Sequence, residues 1–167
     1  MQQAFLPIVA AALLACTLHA GANAAGVEVR YDASKIHSDA GDTAAQRERR
    51  LEALAEHLRT LGERRLPADR RLEVELIDLD LTGTVRPTHR LPGEVRVVTG
   101  RADGPHIELA YTLRDAGGAT LASGRETLYD AGLPRLGELR DAGGGDPLRH
   151  EKTLLDHWFE ARFGAAP

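Results

Sequence analysis

Asp78-Leu79-Asp80 is the arrangement in this sequence best suited to chemistry. Two carboxylates one residue apart on a strand point the same way and can hold a hard cation between them. Two acids do not complete such a site, so further ligands would have to come from Glu126, Asp130 or His106. Glu151 and Lys152 add a charged pair near the C-terminal end. The candidate polar cluster therefore reads Asp78, Asp80, Glu126, Asp130, Glu151 and Lys152. Because Asp-x-Asp is a common pattern, the simpler expectation is that both aspartates pair with arginines on a neighbouring strand or accept backbone amides. On that expectation the chain has no catalytic residue, no cofactor and no metal, and a metal site at Asp78 and Asp80 is the alternative.

Other chemistries find less support. Beyond the first residues the histidines are His37, His57, His89, His106, His150 and His157, and no two fall at His-x-His or His-x-x-x-His spacing. Gly143-Gly144-Gly145 precedes a helical pattern as a phosphate cradle would. Asp146, however, puts a negative charge where the phosphate would sit, and no Gly-Lys-Ser/Thr follows. There is no Gly-x-Ser-x-Gly elbow. Lys152 and Asp156 stand four apart, the spacing of an ordinary pair on a helix surface.

The balance of 21 Lys+Arg against 25 Asp+Glu gives a net charge of −4 over 167 residues, the size of one domain. No general attraction to nucleic acid or anionic lipid is expected from it. The arginine clusters Arg64-Arg65 and Arg70-Arg71 are interleaved with acids and lack aromatic neighbours, which reads as a solvated surface. Ala4 to Leu18 form an apolar run too short for a comfortable membrane span, followed by Ala22-Asn23-Ala24. This predicts a signal peptide over residues 1–24 and a single domain over 25–167, located in the periplasm without a transmembrane span. Leu13-Leu14-Ala15-Cys16 resembles a lipobox, so a membrane-anchored lipoprotein acylated at Cys16 is the alternative. Cys16 is the only cysteine, and cleavage after Ala24 leaves a domain with no disulfide and no thiol chemistry.

The elements that would position the acids follow from periodicity. Leu72, Val74 and Leu76 alternate with Glu73 and Glu75, and the apolar beat then slips onto Ile77, Leu79 and Leu81. A β-bulge near Leu76-Ile77 would repair the phase and set Glu73, Glu75, Asp78 and Asp80 on one face. Without the bulge, both aspartates share the face of Val74 and Leu76. Upstream, Val27 to Tyr31 reads as a short edge strand. Thr43 and Gln46 have capping-box spacing for a helix running to about Leu61, with Gly62 suited to end it.

Downstream, Gly83 to Gly93 reads as a loop and Glu94 to Thr99 as a short strand. Pro105 to Leu113 and Ala119 to Tyr129 read as a hairpin joined at Asp115-Ala116-Gly117-Gly118, with a second bulge near Ser123-Gly124. Leu133 to Gly145 is an excursion. Asp146 as N-cap and Pro147 in the first turn open a last helix whose Trp158, Phe159 and Phe163 dock on the sheet. The expected fold is α+β in two layers: a mostly antiparallel sheet of four to five strands with both helices on one face, in the order β-α-β-β-β-β-α. A right-handed crossover in the first strand-helix-strand unit would make that sheet mixed.

Taken in order, several segments resemble the bacterial family catalogued as domain of unknown function 3016. They are Asp78-Leu79-Asp80-Leu81-Thr82-Gly83, then Gly104-Pro105-His106 through Leu113, then Glu126 and Asp130, and last Leu148-Arg149-His150-Glu151-Lys152 with Asp156-His157-Trp158-Phe159. Thr82 and His150 stand where the family pattern has Ala and Tyr, and no Trp precedes Pro105. The resemblance implies an exported protein of unknown activity and supplies no catalytic residues. The functional expectation is a non-catalytic binding or envelope-accessory module whose partner is an envelope protein or a small ligand.

Overall fold

The phase slip in the central segment is a bulge. The computed structural model describes residues 26–81, 83–87, 94–97, 104–129 and 146–164. The expected leader, Cys16, His89 and Asp130 lie outside the described residues. Strand β2 (Arg70–Asp80) pairs antiparallel with β5 (His106–Asp115), with Leu76 opposite Leu109 and Asp78 opposite Glu108. Ile77 is therefore the extra residue. The insertion keeps Leu72, Val74, Leu76 and Leu79 on one side, all at most 2% exposed, and leaves Glu73, Glu75, Asp78 and Asp80 on the other.

The elements follow the order β1 (Gly26–Tyr31), α1 (Ala44–Arg65), β2, β3 (Thr84–Pro87), β4 (Glu94–Val97), β5, β6 (Thr120–Tyr129) and α2 (Arg149–Phe163). The main sheet has four strands in the order β1-β2-β5-β6, with β1 parallel to β2 and the other neighbours antiparallel. It is a mixed sheet, not the mostly antiparallel one expected, because β1 returns to the sheet through a helix and not through a hairpin. Strand β4 also leaves the expected meander. It pairs with β3, inside the segment expected to be a loop, and the two form a separate antiparallel ribbon.

Helix α1 opens on the capping box: the Gln46 N–H donates to Thr43 Oγ1, and the Thr43 N–H donates to Gln46 Oε1, each at 3.2 Å. It does not stop at Gly62 but runs one turn further. Pro67 ends it, by forcing the preceding Leu66 into extended backbone at φ −82°, ψ 132°. Gly62 serves close approach instead, since a Cβ there would lie 2.1 Å from Val27 Cγ2. Helix α2 also begins later than expected. The Asp146 carboxylate accepts the Leu148 N–H at 2.9 Å in a tight turn, and the helix starts at Arg149 with Leu148 at its N-cap.

Both helices contribute to one core. Leu51, Leu54 and Leu58 of α1 join Leu155, Trp158 and Phe159 of α2 over the apolar side of β2 and β5. Trp158 meets Tyr111 edge-on at 5.7 Å and Phe163 at 5.4 Å, the preferred geometry for aromatic pairs. The irregularity in the second hairpin falls at Leu121, between the Leu113–Ala122 and Arg114–Thr120 pairs, not at Ser123-Gly124. Gly124 instead lies under the Tyr111 ring, where a Cβ would approach Cε1 to 2.9 Å.

Candidate functional site

The bulge sends Asp78 toward the segment that leaves β1. Asp78 Oδ1 accepts the His37 and Ser38 backbone N–H groups, each at 3.2 Å, and Oδ2 takes the Ser38 hydroxyl in a short bond. Farther along, the Leu81 N–H donates to the Asp39 carbonyl at 3.2 Å. Residues 32–40 thus fold across the end of β2, where β1 has already stopped, and Ile36 and Ala40 plug the core beneath. Partial burial pushes the Asp78 carboxyl up. The bonds from Ser38, Leu79 and His37 outweigh that and hold it below the ordinary carboxylate range.

Asp80 behaves in the opposite way. Burial raises its carboxyl above the ordinary range, Asp39 and Asp78 add to the rise, and His106 on the facing strand opposes it. His106 stacks on Tyr129 with centroids 6.3 Å apart.

Arginines meet Glu73 of the carboxylate row and the acids of the flanking strands. Glu73 lies 3.7 Å from Arg71 and 3.6 Å from Arg114, and Glu28 pairs with Arg30 and Arg71. Glu108 pairs with Arg125 at 2.8 Å. Around the bulged Ile77 lies a cleft of about 480 Å³, lined by Arg30, Lys35, His37, Glu75, Glu108 and Arg125 among others. The loop residues and Arg125 escaped the sequence reading, because no spacing rule ties a polar connection to a strand forty residues away.

The six residues expected to form a polar cluster do not share one place. Asp78 and Asp80 lie on the side of the sheet away from the helices. Glu126 stands opposite Leu109, on the helix side, and pairs with Arg162 of α2 at 3.0 Å. Glu151 is fully buried in the first turn of α2. Lys152 bonds Asp146 at 2.5 Å in place of the expected Asp156, which instead meets His57 of α1 at 2.8 Å. Asp130 lies outside the described residues. Among the described residues, no three His, Cys, Asp or Glu side chains are grouped to hold a metal ion, and no helix is long and apolar enough to cross a membrane.

The family described as protein of unknown function (DUF3016) matches residues 25–161. The chain belongs to that family. No curated protein and no solved structure matches it. Within this DUF3016 chain, the match takes in the bulged strand, the segment that Asp78 ties down and nearly all of α2.

Proposed function

We propose that this DUF3016 chain is an exported, periplasmic binding or envelope-accessory module that performs no catalysis, its leader being removed after Ala24. The observation that carries the binding reading is the cleft around Ile77. There cations and carboxylates of all four strands of the main sheet and of the 32–40 segment surround Ile77, which has been pushed out of the sheet's regular pairing. Such a surface binds by exchanging internal ion pairs for equivalent ones with a partner, which favours specificity over raw affinity. Asp78 does not take part as a ligand group. Its carboxylate is engaged by three donors that hold the cleft's rim.

In-cell photo-crosslinking tests this, with the crosslinking residue at Lys35 or Glu75 in the cleft or at Arg64 on the exposed side of α1. The expected result is a discrete adduct from the two cleft positions and none from Arg64, in a periplasmic fraction whose mature N-terminus is Ala25. A cytoplasmic chain with its first residues intact would overturn the export reading, and an acylated Cys16 would replace it with a lipoprotein. Stoichiometric metal in the purified chain, lost in Asp78→Asn, would overturn the non-catalytic reading in favour of a metal site at Asp78 and Asp80.

A further inference from the structure

We infer that the β6 edge of the sheet, beside α2, accepts an extended peptide from a partner as an additional strand. The inference rests on the binding-module reading and names a second surface for it, on the helix side of the sheet, whereas the cleft lies on the side away from the helices.

The first observation is the edge itself. Strand β6 spans ten residues and pairs on one side only, with β5, so among the described residues its other side presents backbone N–H and C=O groups to no strand. Folded proteins commonly blunt such an edge by making it short or by placing lysine or proline on it. Thr120–Tyr129 is long and contains neither, and its irregularity at Leu121 leaves Ala122–Tyr129 in regular pairing. The opposite edge, β1, has six residues and is pressed against α1 through Val27 and Gly62.

Exposed apolar side chains provide the second observation. Among the described residues, the large hydrophobics left exposed are Leu121 at 48% and Tyr129 at 65%. Both belong to β6 and lie near its two ends.

The third is a groove of about 440 Å³ between β6 and α2, where Leu128, Leu154, Trp158 and Ala161 lie beside Thr127, His157 and the Glu126–Arg162 pair. Trp158 keeps its indole N–H buried with no acceptor among the described residues, an unmet donor in a side chain that forms the wall.

An open edge beside a groove with an apolar floor and a charged pair, Glu126–Arg162, at its margin selects its occupant by chemistry. The backbone groups repeat every two residues, which only an extended chain matches, and every second side chain of that chain faces the groove. The partner segment is therefore an extended peptide with apolar side chains at alternate positions. A second copy of this chain fits less well. Its β6 carries its own α2, so symmetric pairing would lay two helices, each with His157 and Arg162, over a strip that one strand's side chains fill.

The test is a selection of random eight-residue peptides displayed on phage, using the purified chain as target and Ala161→Arg as counter-target. Ala161 is exposed on α2, so the variant fills the groove without disturbing the core, and an unchanged near-ultraviolet spectrum checks this. Selected peptides should alternate apolar and polar residues and bind Ala161→Arg roughly tenfold or more weakly, a difference of about 1.4 kcal/mol. N-methylation of one alternate set of peptide amides should abolish binding while the other set is tolerated. Amide exchange should slow in β6 when the peptide is bound.

A selection without any binder sensitive to Ala161→Arg overturns the inference, and so does equal tolerance of both methylation sets. A free chain that sediments as a dimer with β6 already protected overturns it in favour of a second copy. Crosslinking from Lys35 without any such peptide leaves the cleft reading standing while the edge inference falls, so the two fail separately.

Discussion

On one side of the central sheet lie Leu72, Val74, Leu76 and Leu79 under two helices, and on the other lie Glu73, Glu75, Asp78 and Asp80 among arginines. The helix side gains stability from area. Each fully buried leucine or phenylalanine there contributes roughly 1.5–3 kcal/mol of transfer free energy. The acid side gains little from its exposed ion pairs, each worth about 0–1 kcal/mol, and its one strong local contribution is the set of bonds closed on Asp78. One inserted residue, Ile77, separates these two regimes along a single strand. Stability and candidate function are thereby divided between faces, and substitutions on the two faces should differ in kind.

The largest expected effect is on the helix side. Phe159→Ala removes a fully buried ring and should cost about 3–5 kcal/mol in urea unfolding. If Phe159→Ala costs no more than Glu75→Ala, expected within about 0.5 kcal/mol, the contrast between the faces is broken. Next comes Asp78→Ala, which strands two backbone donors and a hydroxyl. It should cost about 2–3 kcal/mol and speed amide exchange at His37 and Ser38 while β5 stays protected. Uniform loss of protection instead would show that Asp78 supports the core and not the cleft's rim.

Gly62→Ala should cost about 1–2 kcal/mol, because crowding against Val27 outweighs the better helix propensity of alanine. Val27→Ala in the same chain should recover much of that loss, which localises the effect to the approach of α1 and β1.

The smallest effects concern pH, and the two aspartates should show opposite signs. The folded Asp78 carboxyl lies below its ordinary value, so its contribution is complete above the unfolded pKa and is lost as pH falls through the folded one. The stability lost in Asp78→Asn should therefore shrink toward acid. The folded Asp80 carboxyl lies above its ordinary value, so its charge costs stability at neutral pH and the cost is relieved as pH falls. Asp80→Asn should raise the urea midpoint at neutral pH by an amount that fades in acid. Two midpoint curves with the same sign would contradict the separate surroundings assigned to the two carboxylates.

Much of the fold was legible in the residues, through patterns that repeat locally. The stripe of Leu51, Leu54, Ala55 and Leu58, the Thr43–Gln46 box and the alternation from Ile107 to Leu113 each carry their meaning within one element. The slip after Leu76 was also visible, and it left two outcomes that only the pairing with Leu109 and Glu108 decides. Errors arose where one residue type serves two purposes. Gly62 suits a helix end as well as a close approach, and the sequence does not reveal that Val27 is its neighbour. Asp146 can cap a helix or close a turn before it. The candidate site was less legible, because Asp78 depends on Ser38 and Glu126 on Arg162, and those pairings exist only once the chain has been assembled.

Cysteine scanning along β2 measures the division of faces directly. With Cys16 replaced by serine, the chain contains no other thiol, so single cysteines at positions 72 to 80 report their own accessibility. The account predicts slow labelling at 72, 74, 76 and 79 and fast labelling at 73, 75, 78 and 80, with the phase changing at Ile77. An unbroken alternation in which 78 and 80 are as protected as 74 and 76 would place the two aspartates in the core and contradict it.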